Sequence, residues 1–153
     1  MHSLTHPFLD KLAYEDIKKE ISEDKKNLED LFGFEIVGMA YPFGTYNDTV
    51  ISVLKENGIK YARTVDSTHD FKLPEDYFRW NPTCHHNDKS LMDLAKKFLN
   101  KKSYEFQVFY VWGHSYEFDV DNNWNVIEEF CEFISKRDDI FYGTNWEIYE
   151  NVF

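Results

Sequence analysis

Ile36-Val37-Gly38-Met39-Ala40-Tyr41-Pro42-Phe43-Gly44 is the stretch that decides the fold. Its first five residues read as a short strand buried on both faces, since no polar residue interrupts them. Pro42 lacks the N–H that a ladder needs and Gly44 permits a sharp turn, so the strand ends there. Asn47 then caps a helix that runs through Val50, Val53 and Leu54 to a stop at Gly58. Tyr61–Val65 reads as the next strand. Strand, helix and strand at this spacing make a parallel βαβ unit.

Working outward, the same alternation continues. Upstream, a helix from about Tyr14 to Phe32 carries Ile17, Ile21, Leu28 and Leu31 as an apolar stripe, with Gly33 as its stop. Downstream, residues 66–76 are polar and irregular and lead to Tyr77-Phe78-Arg79-Trp80. Asn87 and Asp88 can cap a helix with Leu91, Leu94, Ala95, Phe98 and Leu99 inward. Phe106–Trp112 is the strongest strand signal. Trp124, Ile127, Phe130, Cys131 and Ile134 mark another amphipathic helix, Ile140–Tyr142 a last short strand, and Thr144-x-x-Glu147 a capping box. With no linker or repeat, residues 1–153 are expected to form a single α/β domain of parallel strand–helix units, as an open sheet or a barrel. In barrels the carboxyl ends of the strands carry the site. His2 and His6, Tyr41–Gly44, Trp112-Gly113-His114 and Thr144-Asn145 all fall at that end.

Composition excludes several classes of function. A net charge of −11 argues against nucleic acid and anionic membrane surfaces, both of which need a basic patch. Aromatic residues make up 18% of the chain, enough to line a pocket or a sugar-facing surface as well as a core. No apolar run approaches the roughly 18 residues of a membrane span, and residues 1–20 hold no signal-peptide core. The expected location is cytoplasmic, unless an export signal lies upstream. Cys84 and Cys131 read as two reduced thiols.

Three segments can carry chemistry. His2 and His6 can aim both imidazoles at one metal ion; the bland alternative is two surface histidines on a frayed terminus. A catalytic zinc takes three protein ligands, so a carboxylate or third histidine must complete the set. His114, just past a strand and behind Gly113, is either a core histidine bonded to a carbonyl or a general acid near neutral pH. Glu117 either holds His114 or faces solvent, and solvent is the expectation. Tyr41-Pro42-Phe43-Gly44 is either an ordinary strand-ending turn or a turn whose backbone N–H groups meet an oxyanion. Cys84-His85-His86 invites a zinc reading, but adjacent side chains need not point the same way. Arg79 and Trp80 suit either a pocket wall or plain packing.

Together these segments resemble the polysaccharide deacetylases, the NodB-homology domain of carbohydrate esterase family 4. His2-Ser3-Leu4-Thr5-His6-Pro7 is similar to that family's metal-binding histidine motif, Ala40–Gly44 to its third motif and Trp112-Gly113-His114 to its last. The resemblance implies a distorted (β/α) barrel, here incomplete. It implies a divalent metal, zinc first, on His2 and His6, the Phe43 N–H as oxyanion donor and His114 as general acid. Tyr41, Trp80 and Trp112 would face an acetylated glycan or amino sugar. The family's opening aspartate pair, catalytic base and third metal ligand, has no counterpart in the chain, which reads as an N-terminally truncated domain. Ala40 stands where the family has an arginine, and Arg79 from a neighbouring strand is the candidate substitute. The expected activity is metal-dependent removal of acetyl groups from a polysaccharide or amino sugar; the alternative is an inactive relative that binds a glycan or a protein. A different metallohydrolase or an unrelated α/β domain is the third reading. Unpaired strand edges predict homo-oligomers.

Overall fold

The structure, a computed structural model, describes residues 1–100 and 105–151. In chain order its elements are α1 (Tyr14–Phe32), β1 (Gly38–Ala40), α2 (Asp48–Glu56), β2 (Tyr61–Arg63), β3 (Cys84–His85), α3 (Leu91–Asn100), β4 (Val111–Trp112), α4 (Ser115–Asp121), α5 (Trp124–Ile134) and α6 (Asn145–Glu150). Single 3-10 turns occupy Leu9–Lys11, Pro42–Gly44 and Tyr77–Arg79. The chain divides into two compact units.

The first unit contains Met1–Thr64, Pro74–Trp80 and the stretch from Gly143 onward. β1 and β2 pair in parallel, with Met39 opposite Ala62, and α2 connects them as the βαβ pattern requires. The ladder continues past β2 through a parallel bridge between Arg63 and Trp80. Asn47 caps α2 by accepting the Val50 N–H at 2.9 Å. α1 packs against α2 and buries Ile17 and Ile21 beside Met39, Val50 and Leu54. Each such side chain, fully buried, contributes about 1.5–3 kcal/mol. The expected stripe on α1 holds only in its first half, because Leu31 is 73% exposed. Gly38 is required by packing: a Cβ there would lie 2.2 Å from the Tyr61 ring across the ladder.

The second unit contains Val65–Leu73 and Asn81–Tyr142. β3 and β4 pair in parallel, Cys84 opposite Val111 and His85 opposite Trp112. α3 packs against α5 over a core that includes Phe71, Cys84, Leu91 and Phe130. The strand expected over Phe106–Trp112 is regular only at Val111–Trp112. Upstream of that, the Val108 N–H goes to the Phe71 carbonyl and the Tyr110 N–H to Thr83 Oγ1, so coil and a side chain replace a neighbouring strand. Ile140–Tyr142 is not a strand either. The Tyr142 hydroxyl donates to the Ile134 carbonyl at 2.6 Å, tying the segment to the end of α5. β3 and α4 were not anticipated from the sequence.

Candidate functional site

In the first unit the His2–Pro7 loop is held by two acids one helical turn apart on α1. Asp24 accepts the His2 N–H at 3.0 Å, and Glu20 accepts the Thr5 N–H and hydroxyl at 2.8 and 2.6 Å. These anchors sustain a left-handed backbone at Ser3 (φ 64°) and His6 (φ 59°), which costs energy in residues other than glycine. The result brings His6 Nε2 within 3.0 Å of His2 Nε2. His2 Nδ1 lies 2.7 Å from the Ala40 carbonyl, which can only accept, so Nδ1 carries the hydrogen and a neutral His2 has its lone pair on Nε2. Burial, above all, lowers the His2 pKa, with His6 and Arg63 adding to it against the opposing Ala40 hydrogen bond.

This donor arrangement fits a metal ion. Histidine ligands donate their second ring N–H to a carbonyl in this way. Two nitrogens on a tetrahedral zinc would stand roughly 3.3 Å apart, near the separation observed here. Among the described residues, however, no carboxylate, cysteine or third histidine gathers with this pair.

Next to the pair, the Pro42–Gly44 turn places Phe43 at φ 55°. The hydrogen bonds of the turn run from the Gly44 N–H to the Tyr41 carbonyl and from the Thr45 N–H to the Pro42 carbonyl, leaving the Phe43 N–H outside them. The Phe43 ring is half exposed, stacks on Phe8 at 4.0 Å and meets the His6 ring edge-on at 4.5 Å.

Tyr41 and Trp80, expected to face substrate, are core residues at 1% and 2% exposure, and the Tyr41 hydroxyl donates to the Phe78 carbonyl. Arg79 lies in a 3-10 turn instead of a strand. Its guanidinium is engaged by Asp76 and by Asp48, the latter at 2.7 Å, and neither is a catalytic carboxylate by any motif.

In the second unit β4 delivers Trp112, half-buried, and then Gly113 and His114, with His114 at the N-cap of α4. Glu117, in the first turn of α4, turns inward, where the sequence suggested solvent. Its Oε1 is 3.1 Å from His114 Nδ1, and its Oε2 lies 3.1 Å from His85 Nε2 and 3.2 Å from His86 Nε2. Three imidazoles thus surround one carboxylate. His85 and His86 do face the same way, because their rings lie 4.2 Å apart at a 34° tilt. Gly113 makes room for them: a Cβ there would lie 1.6 Å from His86 Nδ1.

Burial opposes ionisation of Glu117, but hydrogen bonds from His114 and the nearby His85 outweigh it and hold the carboxyl below its usual range. Burial pushes His86 down. Cys84 is fully buried, and burial pushes its thiol up to about 12. One ligand atom each from His85, His114 and Glu117 falls within 4.8 Å, near enough for a metal. Yet the Asn87 N–H donates to His85 Nδ1 at 3.2 Å, which puts the ring hydrogen of a neutral His85 on Nε2. That tautomer suits a proton network around Glu117. The His114-x-x-Glu117 spacing was the one sequence signal for this cluster.

The polysaccharide deacetylase family model matches residues 1–62, the segment holding the histidine loop and the Phe43 turn. The likeness to that family lies in residues 1–62. Among curated proteins none matches the chain. Among solved structures, a Streptococcus pyogenes deacetylase in complex with acetate is 22% identical, over 52% of this chain and 35% of its own, at a TM-score of 0.49. A Bacillus cereus polysaccharide deacetylase is 25% identical, over 52% of this chain and 25% of its own, at 0.44. The family 4 carbohydrate esterase from Streptomyces lividans, also with acetate, is 18% identical over 87% of this chain and 56% of its own, at 0.52. The last of these is alike in fold: α/β, with parallel strand–helix units. The chain spans only about a third and a quarter of the first two relatives. No helix among the described residues is long and apolar enough to cross a membrane.

Proposed function

We propose that this chain is a metal-dependent hydrolase acting on acetyl groups of a glycan or amino sugar. The observation that carries the reading is the convergence of His2 Nε2 and His6 Nε2 at 3.0 Å within the matched segment, with His2 Nδ1 committed to the Ala40 carbonyl. His2 and His6 would hold a divalent ion, zinc first, which supplies Lewis-acid polarisation to a bound carbonyl and water. The Phe43 N–H, outside the hydrogen bonds of its turn, donates to the developing oxyanion. Water adds to the acetyl carbon and loses a proton to solvent, the C–N or C–O bond breaks, and the departing nitrogen or oxygen takes up a proton, the step for which His114 is the general acid by resemblance. The assignment of His114 rests on the likeness of Trp112-Gly113-His114 to the family's last motif.

A second reading, an inactive relative that binds a glycan or protein, is favoured by one observation. The histidine pair gathers no third ligand among the described residues.

Zinc titration by calorimetry separates the two. Binding by the native chain that is lost in His2→Ala/His6→Ala, with acetate released from acetylated chitooligosaccharides or peptidoglycan fragments, supports the hydrolase. Zinc binding indifferent to both substitutions refutes the ligand assignment. Binding without acetate release supports the inactive relative.

A further inference from the structure

We infer that Glu117 is the positioning residue of His114: its carboxylate accepts a hydrogen bond from Nδ1 and leaves Nε2 as the working nitrogen, while the His85 ring lies beside its other oxygen. This rests on the proposed role of His114 for its catalytic consequence, but its geometry stands by itself.

The chain of donors begins at the Asn87 N–H. By donating to His85 Nδ1 it leaves a neutral His85 with hydrogen only on Nε2, an atom 3.1 Å from Glu117 Oε2. That oxygen accepts the His114 backbone N–H. The other oxygen, Oε1, receives His114 Nδ1 at 3.1 Å. An ionised carboxylate has no proton to give, so His114 Nδ1 must be the donor. A neutral imidazole with hydrogen on Nδ1 has its lone pair on Nε2, the remaining nitrogen, which can pick up and release a proton. His86 lies behind as a wall: it is 3% exposed, packs on Phe118 at 4.2 Å, and its Nε2 makes no hydrogen bond despite lying 3.2 Å from Oε2. Asn87 extends the frame by donating to Asp121 at 2.8 Å and accepting from Asn123 at 2.9 Å. The ionisable groups of this neighbourhood are thus His85, His86, His114, Glu117 and Asp121.

Glu117 also has a plain structural use. It accepts the His114 backbone N–H at 3.4 Å and so helps to start α4. Glu117→Gln separates the two uses, because glutamine serves equally well at this capping position. Its single oxygen can meet the backbone N–H or a ring N–H, but its amide NH2 must then face a ring nitrogen that now donates. With the oxygen on the backbone N–H, the amide NH2 faces His114 Nδ1, which must then accept, so the ring changes tautomer.

The test is a long-range proton–nitrogen NMR correlation on the full chain, at a pH where imidazoles are neutral. In the native protein His114 is expected to carry hydrogen on Nδ1, and in Glu117→Gln on Nε2. Glu117→Asp is expected to restore the native tautomer in part. In turnover, Glu117→Gln should lower kcat by about tenfold or more with KM within about twofold, since a wrongly protonated ring removes transition-state help and leaves substrate binding intact. Native His114 with hydrogen on Nε2, or an unchanged tautomer in Glu117→Gln, overturns the inference. The native spectrum decides even if the variant fails to fold. An inactive chain overturns the proposed hydrolysis instead, because the spectrum needs no substrate.

Discussion

Gly113→Ala is the sharpest probe of the histidine cluster. The added Cβ would lie 1.6 Å from His86 Nδ1 and 2.3 Å from its Cε1. Ordinary contact is roughly 3.5–4.0 Å, so the ring or the β4 end must move by about 2 Å. His86 has little room to do so, being 3% exposed and held between His85 and Phe118. Overpacking of this kind costs about 1–3 kcal/mol, and a displacement this large belongs at the upper end, about 2–3 kcal/mol. In a chain of this size that lowers Tm by roughly 4–12 °C. Urea unfolding should show a lower midpoint at an unchanged m value. His86→Ala alone also destabilises, by leaving a cavity. In the double variant, however, the methyl occupies space the ring has vacated. The cycle should therefore give a coupling of at least about 1 kcal/mol in the favourable direction. A Gly113→Ala protein within about 0.5 kcal/mol of native, or additive effects in the double variant, would falsify the close approach of His86 to β4 and the packing argument built on it.

Other expectations follow from the same interactions. Asn47→Ala removes the cap on α2 and should cost about 1 kcal/mol in urea unfolding. Glu20→Ala releases both hydrogen bonds to Thr5 that steady the left-handed turn at His6; zinc affinity should fall about 10–100-fold by calorimetry, as for loss of an outer partner of a metal ligand. The Asp88 pKa falls to about 2, through the hydroxyl and N–H of Ser90, against some desolvation, with His69 contributing. A depressed carboxyl stabilises the fold above its unfolded pKa, roughly 3.9, and loses that contribution as pH drops towards 2. After screening, the contribution is about 1 kcal/mol, and comparing Asp88→Asn with native across that window measures it.

Much of the fold was legible because local chemistry fixed it. α1, with Gly33 as its stop, the Asn47 cap, the helix Trp124–Ile134 and the Thr144–Glu147 box each depend on residues within a few positions of one another. The histidine spacing and the Pro42–Gly44 turn were legible for the same reason. Pairing partners were not. The strand expected over Phe106–Trp112 is cut short because its N–H groups find Phe71 and Thr83, far away in sequence. Ile140–Tyr142 has the composition of a strand but lacks a neighbour, and the Tyr142 hydroxyl binds the end of α5 instead.

Side-chain direction was equally out of reach for the sequence. Tyr41 and Trp80 are aromatic in any reading, but only packing places them in a core instead of on a sugar-facing wall. Glu117 in isolation is an ordinary surface acid of a short helix; it turns inward because β3 brings His85 and His86 to the same spot. The sequence by itself determined which segments are helical and where the histidine and turn motifs stand, since caps, turns and motif spacings act over a few residues. The tertiary structure alone decided which imidazoles share a carboxylate and which aromatics are buried, since those contacts join residues whose separation along the chain leaves no local mark.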